Sequence, residues 1–440
     1  MKVVRTVRGD INPSEMGPTD SHEHLFFVTP LQPGDEFQDV DLAIEEARTL
    51  VRAGARTVVD WTPLDLGRDP EGLLRVCEAT GLQVVAATGV HREAHYGADH
   101  PLRSQSPEGL VRRLVTDIEG PGVRSGVIKI GASYHRLQPF EEKAFAAAAE
   151  AHRLTRVPLC VHTEHGTMGL DIVEHLGRLG VAPASVILAH LDRNPDAGEH
   201  AETGASGAWL QLDGPGRTKY WPDSTVLQLI SDLADRGLAG QLLVGGDTGR
   251  RSMMRAYGGG PGLDYVFARF KPRLERELGA ELSRLVFVEN PARAFAFNPS
   301  PPAAAGPGRL VSDFRGYRSV TRPVTSSQAR STREPPGPSP SSGPSALSRA
   351  GSAVTGPGRL VRHGHEAIER ATGVAVVDCR GGNLEAVGEV VGKAGHDETR
   401  RGVQADQVAP RSGFAVQQSQ PQLGIVGGIP AGQFGERGAL

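Results

Sequence analysis

Up to about residue 298, short apolar runs alternate with longer stretches whose apolar positions recur every three or four residues, and the alternation repeats eight times. The short runs predict strands over Gly17–Leu25, Thr57–Thr62, Gln83–Gly89, Gly126–Gly131, Pro158–Thr163, Ser185–His190, Ala208–Asp213 and Gln241–Asp247. Their near-continuous Val, Ile, Leu and Thr content is that of strands buried on both faces of a parallel sheet. Each is followed by a helical segment. The clearest is Pro139–Arg156, where Phe140, Ala144, Ala147, Ala151 and Leu154 fall on one face behind a first-turn proline. Eight such units predict an α/β fold of the (β/α)8 TIM barrel type. A doubly wound open sheet is the competing architecture, but no Gly-x-Gly-x-x-Gly follows the first strand.

The composition changes after Asn298. Residues 1–300 read as the catalytic domain, and 301–440 as a Pro/Gly/Ser/Arg-rich tail expected to be largely disordered. The hexamer Gly-Pro-Gly-Arg-Leu-Val occurs at 306–311 and 356–361, too few copies for a solenoid, and a short apolar piece, Val374 to Val377, has no assigned role. A formal net charge of −3 gives no basic field for tracking a phosphate backbone, so nucleic acid is excluded as a partner. No stretch of about 18 apolar residues marks a membrane span. The expected location is cytoplasmic, and the expected partner is a small-molecule substrate, with a homodimer left open. Cys77, Cys160 and Cys379 lie too far apart for a disulfide framework or a thiolate zinc site.

Chemistry enters at Asp20-Ser-His22-Glu-His24, where two histidines two apart on a strand face the same side and can share one metal. A His-x-His pair alone is weak, and His363-Gly-His365 repeats it without a strand or partners. The weight comes from other strand ends: Lys129, His162, His190 and Asp247 each stop an apolar run. Together with His22 and His24 they make six candidate ligands at the C-terminal mouth of the barrel, where this architecture places its chemistry. Lys129 is the oddity, because an ammonium beside divalent ions is repelled and costly to bury. An amine that has captured carbon dioxide becomes a carbamate, an anion able to bridge two metals. Otherwise Lys129 would snorkel to solvent or pair with an acid such as Asp60.

These residues resemble the phosphotriesterase family of the amidohydrolase superfamily. The resemblance runs from Val3 to about Phe297 through Gly17-Pro-Thr-Asp-Ser-His-Glu-His-Leu, Val58-Val-Asp-Trp-Thr, Ala86-Ala-Thr-Gly, Gly126-Val-Ile-Lys-Ile, Val161-His-Thr-Glu, His190-Leu-Asp, Gly246-Asp-Thr and Glu289-Asn-Pro-Ala-Arg. It implies that His22, His24 and Asp247 hold the more buried metal and His162 and His190 the outer one. Carboxylated Lys129 and a hydroxide would bridge the two ions, most simply zinc, with manganese or cobalt as alternatives. Lys219-Tyr-Trp-Pro-Asp, Gly246-Asp-Thr-Gly-Arg-Arg and Gly259-Gly-Pro-Gly-Leu-Asp-Tyr265 look closer to phosphotriesterase homology proteins and lactonase-like members than to organophosphate-degrading ones.

The expected reaction is hydrolysis of an ester or lactone by metal-activated hydroxide, with Asp247 accepting the proton. Asp192 would fix a ligand or receive that proton. Positive charge from Arg217 and Lys219 on the seventh loop, and Arg250 and Arg251 on the eighth, borders the mouth, so an anionic substrate held by Lys219, Arg250 or Arg251 is expected. His91 and Tyr96 would shape the leaving-group pocket. Three readings compete: a phosphotriester or phosphodiester hydrolase of the same family, a metal-binding protein without activity, and a metal-free barrel lyase or isomerase using Lys129.

Overall fold

The structure is a computed structural model in which residues 1–299 are described. The tail, with its repeated hexamer, His363, His365 and Val374 to Val377, lies outside the described residues. The chain opens with an antiparallel hairpin of β1 (Val4–Thr6) and β2 (Gly9–Ile11). Eight parallel strands follow: β3 (Thr19–Glu23), β4 (Thr57–Asp60), β5 (Gln83–Gly89), β6 (Val127–Ala132), β7 (Leu159–Thr163), β8 (Val186–Ala189), β9 (Trp209–Leu212) and β10 (Leu242–Val244). Each pairs with the next in chain order, which with a helix after every strand is the (β/α)8 barrel. The helix predicted at 139–156 spans Pro139–Thr155. No helix among the described residues is long and apolar enough to cross a membrane.

Alternation along the strands sorts side chains into two layers. Val58, Val84, Ile128, Leu159, Leu188, Leu210 and Leu242 face outward and pack under the helices. Val59, Trp61, Val85, Ala87, Val127, Cys160, Ile187 and Leu243 face inward and fill the bore. Two residues beyond an inward Val127 comes Lys129, and two beyond Cys160 comes His162, so the same two-residue period carries ionisable groups into the bore at its C-terminal mouth.

Six of the eight regular strands are shorter than the apolar runs, whereas β5 matches its run and β6 is as long but shifted by one residue. His24 lies just past β3, whose register shifts between Asp20 and Glu23, and His190 and Asp247 lie past β8 and β10. The last two take positive φ, 67° and 47°, which removes them from the ladder and turns their side chains over the bore. Non-glycine residues held there are strained and collect at functional sites.

Closure joins the last strand to the first beyond the regular ladder. The N–H groups of Gly246 and Asp247 donate to the His22 carbonyl at 3.1 and 2.8 Å, and Thr248 N–H donates to Glu23 Oε2 at 2.7 Å. This close approach needs glycine at 245, where a Cβ would stand 2.6 Å from the His22 backbone nitrogen. At the other end, Val3 and Phe297 exchange both backbone hydrogen bonds, at 2.8 and 3.0 Å, and tie the hairpin to the end of the last helical segment. Gly245→Ala is therefore expected to lower the unfolding free energy by about 1–3 kcal/mol, the usual cost of overpacking, measured by chemical denaturation.

Candidate metal centre

Trp61 floors the mouth. Its indole N–H donates to the Ser21 carbonyl at 2.8 Å, and the His22 ring stacks on it with centroids 3.9 Å apart. Around this floor, every imidazole has one nitrogen tied to a partner. His22 Nδ1 and His190 Nδ1 both bond the carboxylate of Asp213, at 2.9 and 2.6 Å. His24 Nδ1 bonds Thr62 Oγ1 at 2.9 Å, and because that hydroxyl donates to the Phe26 carbonyl, the imidazole must be the donor. His162 Nε2 bonds Glu164 Oε2 at 2.7 Å. The free lone pairs are thus Nε2 on His22, His24 and His190, and Nδ1 on His162. Burial, the largest cause in each case, holds all four imidazoles well below their ordinary pKa, His24 at about 3. They are neutral at working pH, as metal ligands must be.

His22 Nε2 is buried and lacks a hydrogen-bond partner. It lies 3.5 Å from Asp247 Oδ1, and His24 Nε2 lies 3.4 Å from the same oxygen. Ligands about 2.1 Å from a shared ion at tetrahedral angles stand about 3.4 Å apart, so this trio fits one divalent ion. A second close group, His22, His190 and Asp213, does not, because its nitrogens and oxygens are already at hydrogen-bond lengths. The remaining free nitrogens, on His162 and His190, belong to rings 4.5 Å apart and suit a second ion.

Lys129 faces the same cavity. It is 1% exposed, its Nζ lies 4.4 Å above the Trp61 ring, and among the described residues that Nζ has no ion-pair or hydrogen-bond partner. Burial brings its pKa from 10.5 to about 7, so a large fraction is unprotonated amine. Asp60 is not its partner, since that carboxylate accepts the N–H groups of Leu25 and Thr62.

The six predicted ligands therefore converge. The surrounding predictions fare differently. Among the described residues the Asp192 carboxylate makes no hydrogen bond or ion pair with a candidate ligand; its Oδ1 accepts the Asp213 N–H at 2.8 Å, one layer further out. Lys219, Arg250 and His91 line a cavity of about 210 Å³ over the centre, whereas Arg251 lies outside that lining with its guanidinium over Tyr257. Tyr96 stands behind the wall, where its hydroxyl accepts the His91 N–H and donates to the Leu64 carbonyl. Asp213, Glu164, Arg193 and Tyr220 were not predicted. Asp213 carried the same signal as Asp247, an acid ending an apolar run, but the other three had no local pattern to mark them. Arg217, buried, and Arg193, half-buried, each donate to Asp247 Oδ2, Arg193 at 2.8 Å.

Residues 2–295 match the phosphotriesterase family. A phospho-furanose lactonase from Mycoplasmopsis synoviae is 33% identical over 329 residues, spanning 68% of this chain and 92% of the relative. Among solved structures, a lactonase from Listeria monocytogenes aligns with a TM-score of 0.64 at 30% identity, covering 67% of this chain and 99% of its own. The phosphotriesterase homology protein of Escherichia coli, solved with phosphate in its active site, aligns at 0.61 and 31% identity, covering 64% and 99%. Relatives include lactonases and, at 24% identity, an aryldialkylphosphatase, which are hydrolases of ester bonds. With this family match laid over the convergent histidines and Asp247, the chain belongs to the phosphotriesterase family of metal-dependent hydrolases.

Proposed function

We propose that this hydrolase opens an anionic lactone or ester, using two divalent ions bridged by carboxylated Lys129. The observation that carries the substrate class is the charge of the cavity wall. Arg92, Arg193, Arg217, Lys219 and Arg250 line it, and among the described residues its carboxylates are Glu164 and Asp247. A neutral phosphotriester would leave that excess unanswered, whereas an anionic substrate is drawn in and oriented by it. The phospho-furanose substrate class named for the Mycoplasmopsis relative is of this kind.

When bound, the two ions supply an acidified water and an electrophilic centre for the acyl oxygen. The chain's own residues do the rest. Asp213 fixes two histidines in the ligating tautomer, and Thr62 and Glu164 fix the other two. Lys129, about half of it uncharged amine near pH 7, can add to carbon dioxide and lose a proton to give a carbamate that could hold both ions. Asp247 Oδ1 faces His22 and His24 and would hold the ion, while Arg193 and Arg217 orient the same carboxylate through Oδ2, the oxygen left to take the proton from the attacking water. That proton then passes to the departing ring oxygen as the acyl C–O bond breaks, yielding a hydroxy acid.

Metal analysis of the purified protein should find about two divalent ions per chain, and a screen of lactones should find turnover that chelation removes; protein without metal that still turns over would overturn the reading. Lys129→Ala is expected to lose one ion and most activity, with partial recovery in acetate or propionate, which can stand in for the carbamate; undiminished activity in that variant would show that Lys129 is no ligand. Asp213→Asn, which disturbs two ligands at once, should lower metal affinity or turnover by about 10–100-fold while leaving the far-ultraviolet circular dichroism unchanged.

A further inference from the structure

A second cavity, of about 680 Å³, opens beside the metal centre over the loops after β6 and β7. Arg92, Glu164 and Arg193 line both this cavity and the one over the histidines, so the two share a wall. Glu164 stands at the divide, its Oε2 bonded to His162 Nε2 at 2.7 Å and paired with Arg92 Nε at 3.1 Å. Three rings line the outer side. Tyr134 packs edge-to-face against His135 and His165, with centroids 4.4 and 5.9 Å apart, yet it is 58% exposed. The exposure is not slack. Ser133 gives its N–H and its hydroxyl to Glu141, on the helix Pro139–Thr155, at 3.1 and 2.7 Å, and the His135 N–H donates to Thr167 Oγ1 at 3.3 Å. His135 and His165 are held at positive φ, 52° and 55°. Gly166 lies so close to the next loop that a Cβ there would stand 2.9 Å from the His190 carbonyl oxygen. Strained, clamped backbone that presents exposed rings to a cavity makes a rigid contact surface, and rings fixed in advance lose little freedom on binding.

We propose that this outer cavity is a second subsite, which takes an uncharged aromatic ring carried by the substrate beside the group that reaches the metal centre. Among the described residues no leucine, isoleucine, valine, methionine or phenylalanine lines it, so an alkyl chain would find no apolar partner there. Each guanidinium of the wall already answers a carboxylate, Arg92 that of Glu164 and Arg193 that of Asp247 at 2.8 Å, so this lining does not select a further anion. A flat π system, by contrast, meets Tyr134 and the two imidazoles edge-to-face or offset, and guanidinium planes stack on aromatic faces. The volume is that of a site for a ring-bearing small molecule. The subsite rests on the proposed hydrolysis only for the ring's being part of a substrate, since binding of a ring needs no turnover.

The test is a saturation-transfer NMR titration of the metal-loaded full chain with benzyl alcohol and with cyclohexylmethanol, which share a hydroxyl and a six-membered ring and differ in aromaticity. Benzyl alcohol should bind more tightly. Tyr134→Ala, and separately His165→Gly, which keeps a residue suited to positive φ, should each weaken it by about three- to tenfold with metal content unchanged. Leu170→Ala, an exposed apolar position outside the lining, should bind as wild type. Equal binding of the two alcohols, or undiminished binding of benzyl alcohol in either ring-removing variant, would overturn the subsite. Among the esters or lactones that the protein hydrolyses, one bearing a phenyl ring should show a lower KM than its cyclohexyl counterpart and lose that advantage in Tyr134→Ala with kcat nearly unchanged; no such advantage in the wild type would overturn the ring's place in the substrate. Tyr134-dependent binding of benzyl alcohol in a protein that hydrolyses no ester or lactone would instead overturn the proposed activity and leave the subsite standing.

Discussion

One buried carboxylate sets the geometry on which the metal centre depends. Asp213 takes the Nδ1–H of His22 with one oxygen and that of His190 with the other, and so orients a ligand from the first barrel strand and one from the sixth. Burial would push its carboxyl pKa up, but the two imidazoles bonded to it hold it well below the ordinary range. It therefore stays an acceptor. If either histidine turned over, its lone pair would face Asp213 and its N–H would face the metal position, so the tautomers and the centre stand or fall together. Asp192 secures the arrangement from behind through the Asp213 backbone N–H.

The second dependence is on the seam between β10 and β3. Barrels need a last strand that returns to the first, and here the returning segment bonds the carbonyl of His22, a ligand residue. Glycine at 245 permits the approach, and positive φ at Asp247 then swings the carboxylate back over the bore. Backbone closure and ligand placement are one local geometry rather than two.

The sequence shows the barrel and the six convergent ligands because both follow from the two-residue period of buried strands: a ligand ends an apolar run as visibly as a valine continues it. Lys129 stood out because no ordinary lysine belongs between Ile128 and Ile130 in a buried strand. The exact ends of the strands were less legible, since left-handed residues such as His190 leave the ladder without breaking the apolar pattern. The supporting groups were legible only in part. Asp213 could have been read from its place after β9, but Glu164, Arg193 and Tyr220 become meaningful through contacts between different loops, which linear spacing does not encode. Charge alone marked Arg250 and Arg251 as equivalents of Lys219; packing against Asp35 and Tyr257 separates them.

The seam also has a thermodynamic side. Every other pair of neighbouring barrel strands is joined by a parallel ladder, but β10 and β3 meet through hydrogen bonds from Gly246, Asp247 and Thr248. An ion shared by His22, His24 and Asp247 would span that junction, linking the two ends of the barrel by bonds that a ladder-poor edge lacks. Because such an ion binds the closed form and not the parted one, its binding free energy adds directly to the free energy of local opening there. The cofactor would then act as a rivet in the barrel wall, and metal loss and fraying of the first and last strands would be a single event.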